Sequence, residues 1–340
     1  MHKLTITLKQ HTPLIHFQHD QDGATLRASE VKPKLDRYII QKVFNNNYDE
    51  CKEYLVGYDK QKPDKLREKF NSGYRALDYK MRIESGNQVQ IEMNVVEKKE
   101  NGNHICDEIG RPLFTTSNYP DNTNSLIMGN MGGRIREDVL NFVMFDDVSL
   151  YLLFKNESLK RNVNRNIFFF FSETNFGNRT SKGFGSFMVR SIDDVVINKR
   201  PSFDWKLSFS LMPDSNYSIS SNRAIKDIFV IINKIWKGLK RYSNAPENQL
   251  KSVFLNVESD LTNDEDRIPS PVYFKPIVKS RSREEWVVDV MVFLNQDVIE
   301  AANANIQDFY DLLDKAVKYA NKRKPDEDKN NYYVSNITVE

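Results

Sequence analysis

His11, His16 and His19 cluster near the start of the chain, and histidine is the side chain that most readily moves a proton at neutral pH. One of them suits the role of general acid or base in a metal-independent ribonuclease. That role needs a partner geometry that spacing does not supply, and polar loop residues are the plainer account. Asp146 and Asp147, in VMFDDVSL, are adjacent carboxylates of the kind that hold Mg²⁺ for RNA cleavage. Adjacent residues of a strand point to opposite faces, so the pair is equally a turn before a strand and is assigned no site. The third constellation is the segment 175–187, NFGNRTSKGFGSF, where Gly177, Gly183 and Gly185 are set among Arg179 and Lys182. Glycine permits positive φ and lets a polyanion approach backbone N–H groups, so this loop can cradle phosphates; a tight turn that simply needs glycine is the alternative.

Charge density favours the phosphate reading. From Lys155 to Arg190 seven Lys/Arg stand against two acids, Glu157 and Glu173, while the whole chain nearly balances 49 basic with 47 acidic residues. A local basic excess of that size suits RNA. Neither GxGxxG nor GxxxxGK[ST] occurs, which disfavours a dinucleotide site or a P-loop. Arg27, Lys32, Lys34 and Arg37 surround the start of the first helix, where free N–H groups add to phosphate attraction; a solvated polar face is the plainer account. Lys234, Lys237, Lys240 and Arg241 complement the macrodipole at the end of a later helix.

The scaffold for these residues is 340 residues long, enough for one large core or two of roughly 150 residues each, and two are expected. Leu4, Ile6 and Leu8 alternate with polar residues as in a half-buried strand. From Pro33 onward, Leu35, Tyr38, Ile39 and Val43 share a helical face, with Pro33 in the first turn. Residues 44–86 are polar and predict an insertion with short helices. Val89–Val96 alternates again as a strand, and 98–133 predicts long exposed loops. Val148–Phe154 is a strand; Leu159, Val163, Ile167, Phe170 and Phe171 fit a helical face, although four consecutive phenylalanines also suit a buried strand. The second half predicts strand (205–212), amphipathic helix (Ile225 to Leu239), two strands in PVYFKPIV and WVVDVMVFL, a helix around Phe309–Val317 and a last strand near 331–340. An insertion at 243–267 carries an extra strand candidate, SVFLNVES.

The glycine segment resembles the glycine-rich loop of the CRISPR-associated RAMP superfamily: NFG, then the basic NRTSK, then GFG, with Asn175 in place of the first glycine. Asn tolerates left-handed geometry, which makes that departure a modest one. TPL at 12–14, LRASEVKPKLDRYI at 26–39 and SPVYFKP at 270–276 follow the order seen in the first subunit of the Cmr module of type III-B effector complexes. The resemblance implies an α+β fold of two ferredoxin-like (RRM-like, βαββαβ) units with insertions, which the element order of the second half also suggests. The units are expected at 1–202, with the glycine loop, and 203–340. It further implies a non-catalytic subunit of a type III CRISPR effector complex in antiviral defence. Its partners are CRISPR RNA, target RNA and other RAMP subunits, and a CRISPR-RNA-processing endoribonuclease is the alternative. RNA contacts are expected from Arg27, Lys32, Lys34, Arg37, Gly177, Arg179, Lys182, Gly183 and Gly185. No catalytic residue, metal or cofactor is expected. Cys51 and Cys106 form no CxxC pair, and no run approaches the roughly 18 apolar residues of a membrane span, so a soluble cytoplasmic protein is expected.

Overall fold

A computed structural model of the chain describes residues 1–15, 25–60, 63–97, 99–100, 103–104, 114–116, 139–213, 221–243, 270–282, 285–295, 300, 305–322 and 332–340. His16, His19, Cys106 and the strand candidate at 252–259 lie outside them.

Strand β1 (His2–Gln10) buries Leu4, Ile6 and Leu8 on one face, as its alternation requires. Helix α1 (Ala28–Phe44) turns Val31, Leu35, Ile39 and Ile40 inward. It begins five residues before Pro33, not at it. Pro33 sits in the second turn, where its missing N–H costs one bond to the first turn, and its ring is exposed. Short helices α2 (Tyr48–Cys51) and α3 (Pro63–Asn71) follow, and Tyr48, Leu66 and Phe70 fold back onto the same core.

Strand β2 (Tyr79–Ser85) lies inside the stretch expected to be an insertion, and it is this strand that joins the main sheet. The strand expected at 89–96 forms as β3 (Gln88–Glu97) but belongs elsewhere. The expected loop 98–133 contains β4 (Lys99–Glu100), β5 (Asn103–His104) and β6 (Phe114–Thr116). Then come β7 (Val139–Phe145), β8 (Val148–Phe154), helix α4 (Glu157–Glu173), β9 (Phe187–Ile192) and β10 (Val195–Val196). In α4, Asn156 caps the first turn by accepting from Ser158 and Leu159 N–H, and the phenylalanine run takes helical period. Sheet order is β10-β9-β1-β8-β2, antiparallel throughout.

β2 runs into β3, and β7 into β8, across a shared kink at Gly86–Asn87 and Asp146–Asp147, where Gly86 N–H donates to Asp147 O (2.8 Å). β3 pairs with β7 beyond it, forming a ribbon that leaves the first sheet. Near the kink, Val89 and Met144 pack into a second core.

That core belongs to β11 (Trp205–Pro213), α5 (Ser221–Ser243), β12 (Val272–Arg281), β13 (Trp286–Leu294), α6 (Ile306–Lys322), β14 (Tyr332–Val334) and β15 (Thr338–Val339). Its sheet has the order β12-β13-β11-β14, with β15 also on β11, and its pairs are antiparallel. Helices α5 and α6 approach closely at Gly238, where any Cβ would meet the Ala316 Cα at 2.8 Å. The protein is therefore a mixed α/β fold of antiparallel sheets, with two hydrophobic cores among the described residues. Among the described residues no helix is long and apolar enough to cross a membrane.

Candidate nucleic-acid interface

The glycine segment returns the chain from α4 to β9 and closes on itself through a bridge between Asn175 and Ser186. Inside it Gly177, Arg179, Gly183 and Gly185 all have positive φ, and Thr180–Lys182 forms a single 3₁₀ turn. Asn175 is not left-handed, contrary to the reading of it as a glycine substitute. Its side chain bonds instead: Nδ2 donates to Thr180 O (2.7 Å) and Phe274 O (2.8 Å), and Oδ1 accepts from Lys275 Nζ (3.1 Å). An amide supplies donors and an acceptor together, which glycine cannot.

The loop is wedged between the two cores. On one side, the segment after β1 grips it: Thr12 Oγ1 donates to Gly183 O (2.7 Å) and accepts from Ser186 N–H (2.9 Å), and Gly185 N–H donates to Pro13 O (2.8 Å). On the other, Ser186 Oγ donates to Pro276 O (2.7 Å) in β12, and a Cβ on Gly183 would meet the Pro276 ring at 2.7 and 2.8 Å. Phe184 crosses into the second core and stacks on Phe229 at 3.9 Å between centroids. Gly183 and Gly185 are buried, and protein atoms fill the space beside both. Close backbone packing thus accounts for these two glycines.

The basic residues divide. Lys182 holds its ammonium 3.0 Å from the Trp236 ring centroid, a cation–π contact with α5. Arg179 occupies the left-handed region at the start of the 3₁₀ turn, and partial burial lowers its pKa. Lys34 reaches the loop, at 3.4 Å from Asn175 O and 5.0 Å from the Phe176 ring centroid. Arg37 follows Lys34 by three residues on the same side of α1, Arg27 is the extended residue that precedes the helix, and both arginines are exposed. Lys32 leaves this group: it turns to β2 and pairs with buried Asp36 (2.6 Å), Leu77 O (2.9 Å) and the Tyr79 ring. Asp147 pairs with Arg190 through both carboxylate oxygens (2.9 Å each), beside the kink.

Lys275, absent from the sequence-predicted set, is the most constrained cation of the seam. It is 1% exposed and donates to Thr174 O (3.0 Å) as well as Asn175; burial pulls its pKa down to about 7. One signal existed in the sequence, a lysine in the middle of the apolar run PVYFKPIV.

His11 is also a seam residue. It is 3% exposed, its backbone N–H donates to Ser186 O (2.9 Å), and its ring Nδ1 accepts from Val278 N–H (3.0 Å). Burial, with Lys9 and Lys275 nearby, holds the imidazole well below its usual range, so it is neutral in the fold. An unfolded histidine protonates near 6.5, and the folded one resists, so the unfolded chain binds the extra proton and stability falls as pH drops below about 6.5. Lys275, whose folded pKa is about 7, adds slope of its own near pH 7, but does so in wild type and variant alike, so the difference between them reports His11. His11→Asn keeps an acceptor but cannot titrate. Unfolding free energies from urea titrations between pH 7 and 5 should fall less steeply in this variant, by up to about 1.4 kcal/mol per pH unit. Parallel pH profiles would show that Nδ1 carries no such proton linkage.

The geometry defines a mixed α/β protein whose glycine-rich loop is clamped between two cores beside a basic side of α1. The model of the Cmr1 N-terminal domain family matches residues 1–241, and the chain belongs to that family. The match runs through the loop and into the last turn of α5. Among solved structures, similarity extends to a chain of the type III-B Cmr-beta complex bound to cognate target RNA, at 12% identity over 57% of this chain and 60% of that one (TM-score 0.33). It extends also to apo Cmr1 from Pyrococcus furiosus, at 10% identity over 87% and 89% (TM-score 0.37). No curated protein matches.

Proposed function

We propose that the chain is a non-catalytic RNA-binding subunit of a type III CRISPR effector complex. In this reading it holds CRISPR RNA or its duplex with target RNA, next to other RAMP subunits. Membership of the Cmr1 family supports the assignment to the complex. The observation that carries RNA binding is the contact of Lys34 with the loop, which sets Lys34 and Arg37 on the side of α1 next to Arg179's segment, with exposed Arg27 at the start of the helix. Basic side chains there neutralise phosphates without reading bases. His11 offers no support for the nuclease alternative, since its Nδ1 is buried as an acceptor.

The finer architecture in this proposal is two ferredoxin-like units, 1–202 and 203–340. Element orders β1-α1-β2-β8-α4-β9 and β11-α5-β12-β13-α6-β14 support it, as do the two matching sheet orders, fourth-first-third-second in each.

Arg179→Ala should weaken binding to labelled repeat RNA by about threefold to tenfold and lower the salt slope by roughly one, measured by anisotropy at several KCl concentrations. Wild-type chain should leave repeat RNA and a guide-complementary target uncut, with or without Mg²⁺. Absence of RNA binding by the chain, alone and in its complex, would end the RNA reading. Cleavage at one defined position would end the non-catalytic one.

A further inference from the structure

The loop's anion-binding groups are already occupied from within the chain. Glu30 Oε1 accepts from Gly177 N–H at 2.6 Å and from Lys34 Nζ at 3.1 Å, two donors from separate segments converging on one oxygen. A non-bridging phosphate oxygen accepts in the same way, and a carboxylate and a phosphodiester each carry one negative charge. Glu30 is held incompletely. Its other oxygen, Oε2, is buried and has no hydrogen-bond partner among the described residues, which makes the bound position of the carboxylate a costly one. Lys34, in contrast, keeps about a third of its side chain exposed and has a second acceptor in Asn175 O, so it stays at the loop when Glu30 leaves.

We propose that Glu30 is an internal competitor for RNA phosphate: its carboxylate fills the Gly177–Lys34 position in the free chain, and an RNA phosphodiester displaces it on binding. This rests on RNA binding at the loop and adds a mechanism that sets its affinity. Displacement exchanges one anion for another at Gly177 and Lys34 and sends the carboxylate to solvent. Weak or non-specific RNA contact is thereby penalised, because every bound phosphate at this position must first evict a charge.

Two measurements test it. Glu30→Gln keeps an oxygen that accepts from Gly177 and Lys34 but removes the charge. Its affinity for labelled repeat RNA should rise roughly tenfold, with a salt slope steeper by about one. Wild-type affinity and slope, or weaker binding at an unchanged melting temperature, would overturn the proposal.

The second measurement needs no variant. Phe–Gly occurs only at 176–177 and 184–185, so carbonyl-labelled Phe with amide-labelled Gly yields two resonances. Gly177 should shift on adding repeat RNA, because its acceptor changes. Gly185, whose N–H donates to Pro13 O inside the seam, should stay. An unmoved Gly177 under saturating RNA overturns the displacement even if Glu30→Gln fails to fold. Failure of the wild-type chain to bind RNA instead removes the function on which the proposal rests, a distinct outcome.

Discussion

Gly185→Ala should destabilise the protein by more than ~3 kcal/mol, a cost that comes from backbone and not from a lost ligand. The residue has φ +66°, and a Cβ there would fall inside the contact distance of the Phe176 carbonyl oxygen and 2.7 Å from its carbon. Neither partner can move cheaply. Phe176 N–H donates to Gly185 O (3.0 Å), Gly185 N–H donates to Pro13 O, and Leu14 Cδ1 closes the third side at 2.9 Å. Gly57→Ala is the control. Its φ is +80° with nothing within 4 Å of the added carbon, so only the left-handed penalty applies, about 1 kcal/mol. Urea denaturation followed by circular dichroism separates the two. Equal losses at both glycines would mean that the loop relaxes around the added methyl and is not clamped.

Phe184→Ala should cost ~3–5 kcal/mol, the range for removing a fully buried phenylalanine, because its ring is wholly enclosed and stacked within 10° of parallel on Phe229. The location makes the loss specific. Phe184 belongs to the loop between α4 and β9, yet its ring lies in the core built by β11 to β15 and the two helices on them. The cavity should therefore weaken the hold of the loop on α5, including the Lys182–Trp236 contact. Phe184→Leu, which retains most of the apolar volume, should recover more than half of the loss in thermal melts. A loss below about 1 kcal/mol for Phe184→Ala would show that the second core closes over the gap without the loop.

Elements whose two faces differ in chemistry were legible from residue order. β1, β8, β11 and β13 alternate or run apolar, and α4 and α5 repeat at helical spacing, because burial of one face imposes a period on the chain. The period also decided for helix in the phenylalanine run. β2 shows where this fails. Its alternation of Tyr79, Met81 and Ile83 with Lys80, Arg82 and Glu84 is real, but an edge strand is half solvated, and its charges matched those of the short helices before it. The polar stretch hid the second strand of the first sheet, although the next strand, β3, was legible. Pro33 hid the start of α1 in a similar way, since proline marks a first turn by preference and not by necessity.

The glycine segment was legible as special and not as a seam. Glycine signals that backbone or ligand comes close, without saying which. Basic charge was legible as composition only. Lys32 is directed to Asp36, Lys182 to Trp236 and Lys275 into the interior between Thr174 and Asn175, whereas Lys34 alone of the four lysines meets both the loop and Glu30. The sequence by itself determined the helices and strands whose two faces differ in chemistry, that 175–187 needs an unusual backbone, and that the region is rich in cations. Only the tertiary structure decided that the loop lies between two cores, that His11 bonds to Val278 267 residues away, and that Glu30 accepts from Gly177 N–H in the loop. The physical reason is range: periodicity and backbone strain are properties of neighbours in the chain. The environment of a charge is set instead by the segments that folding brings around it.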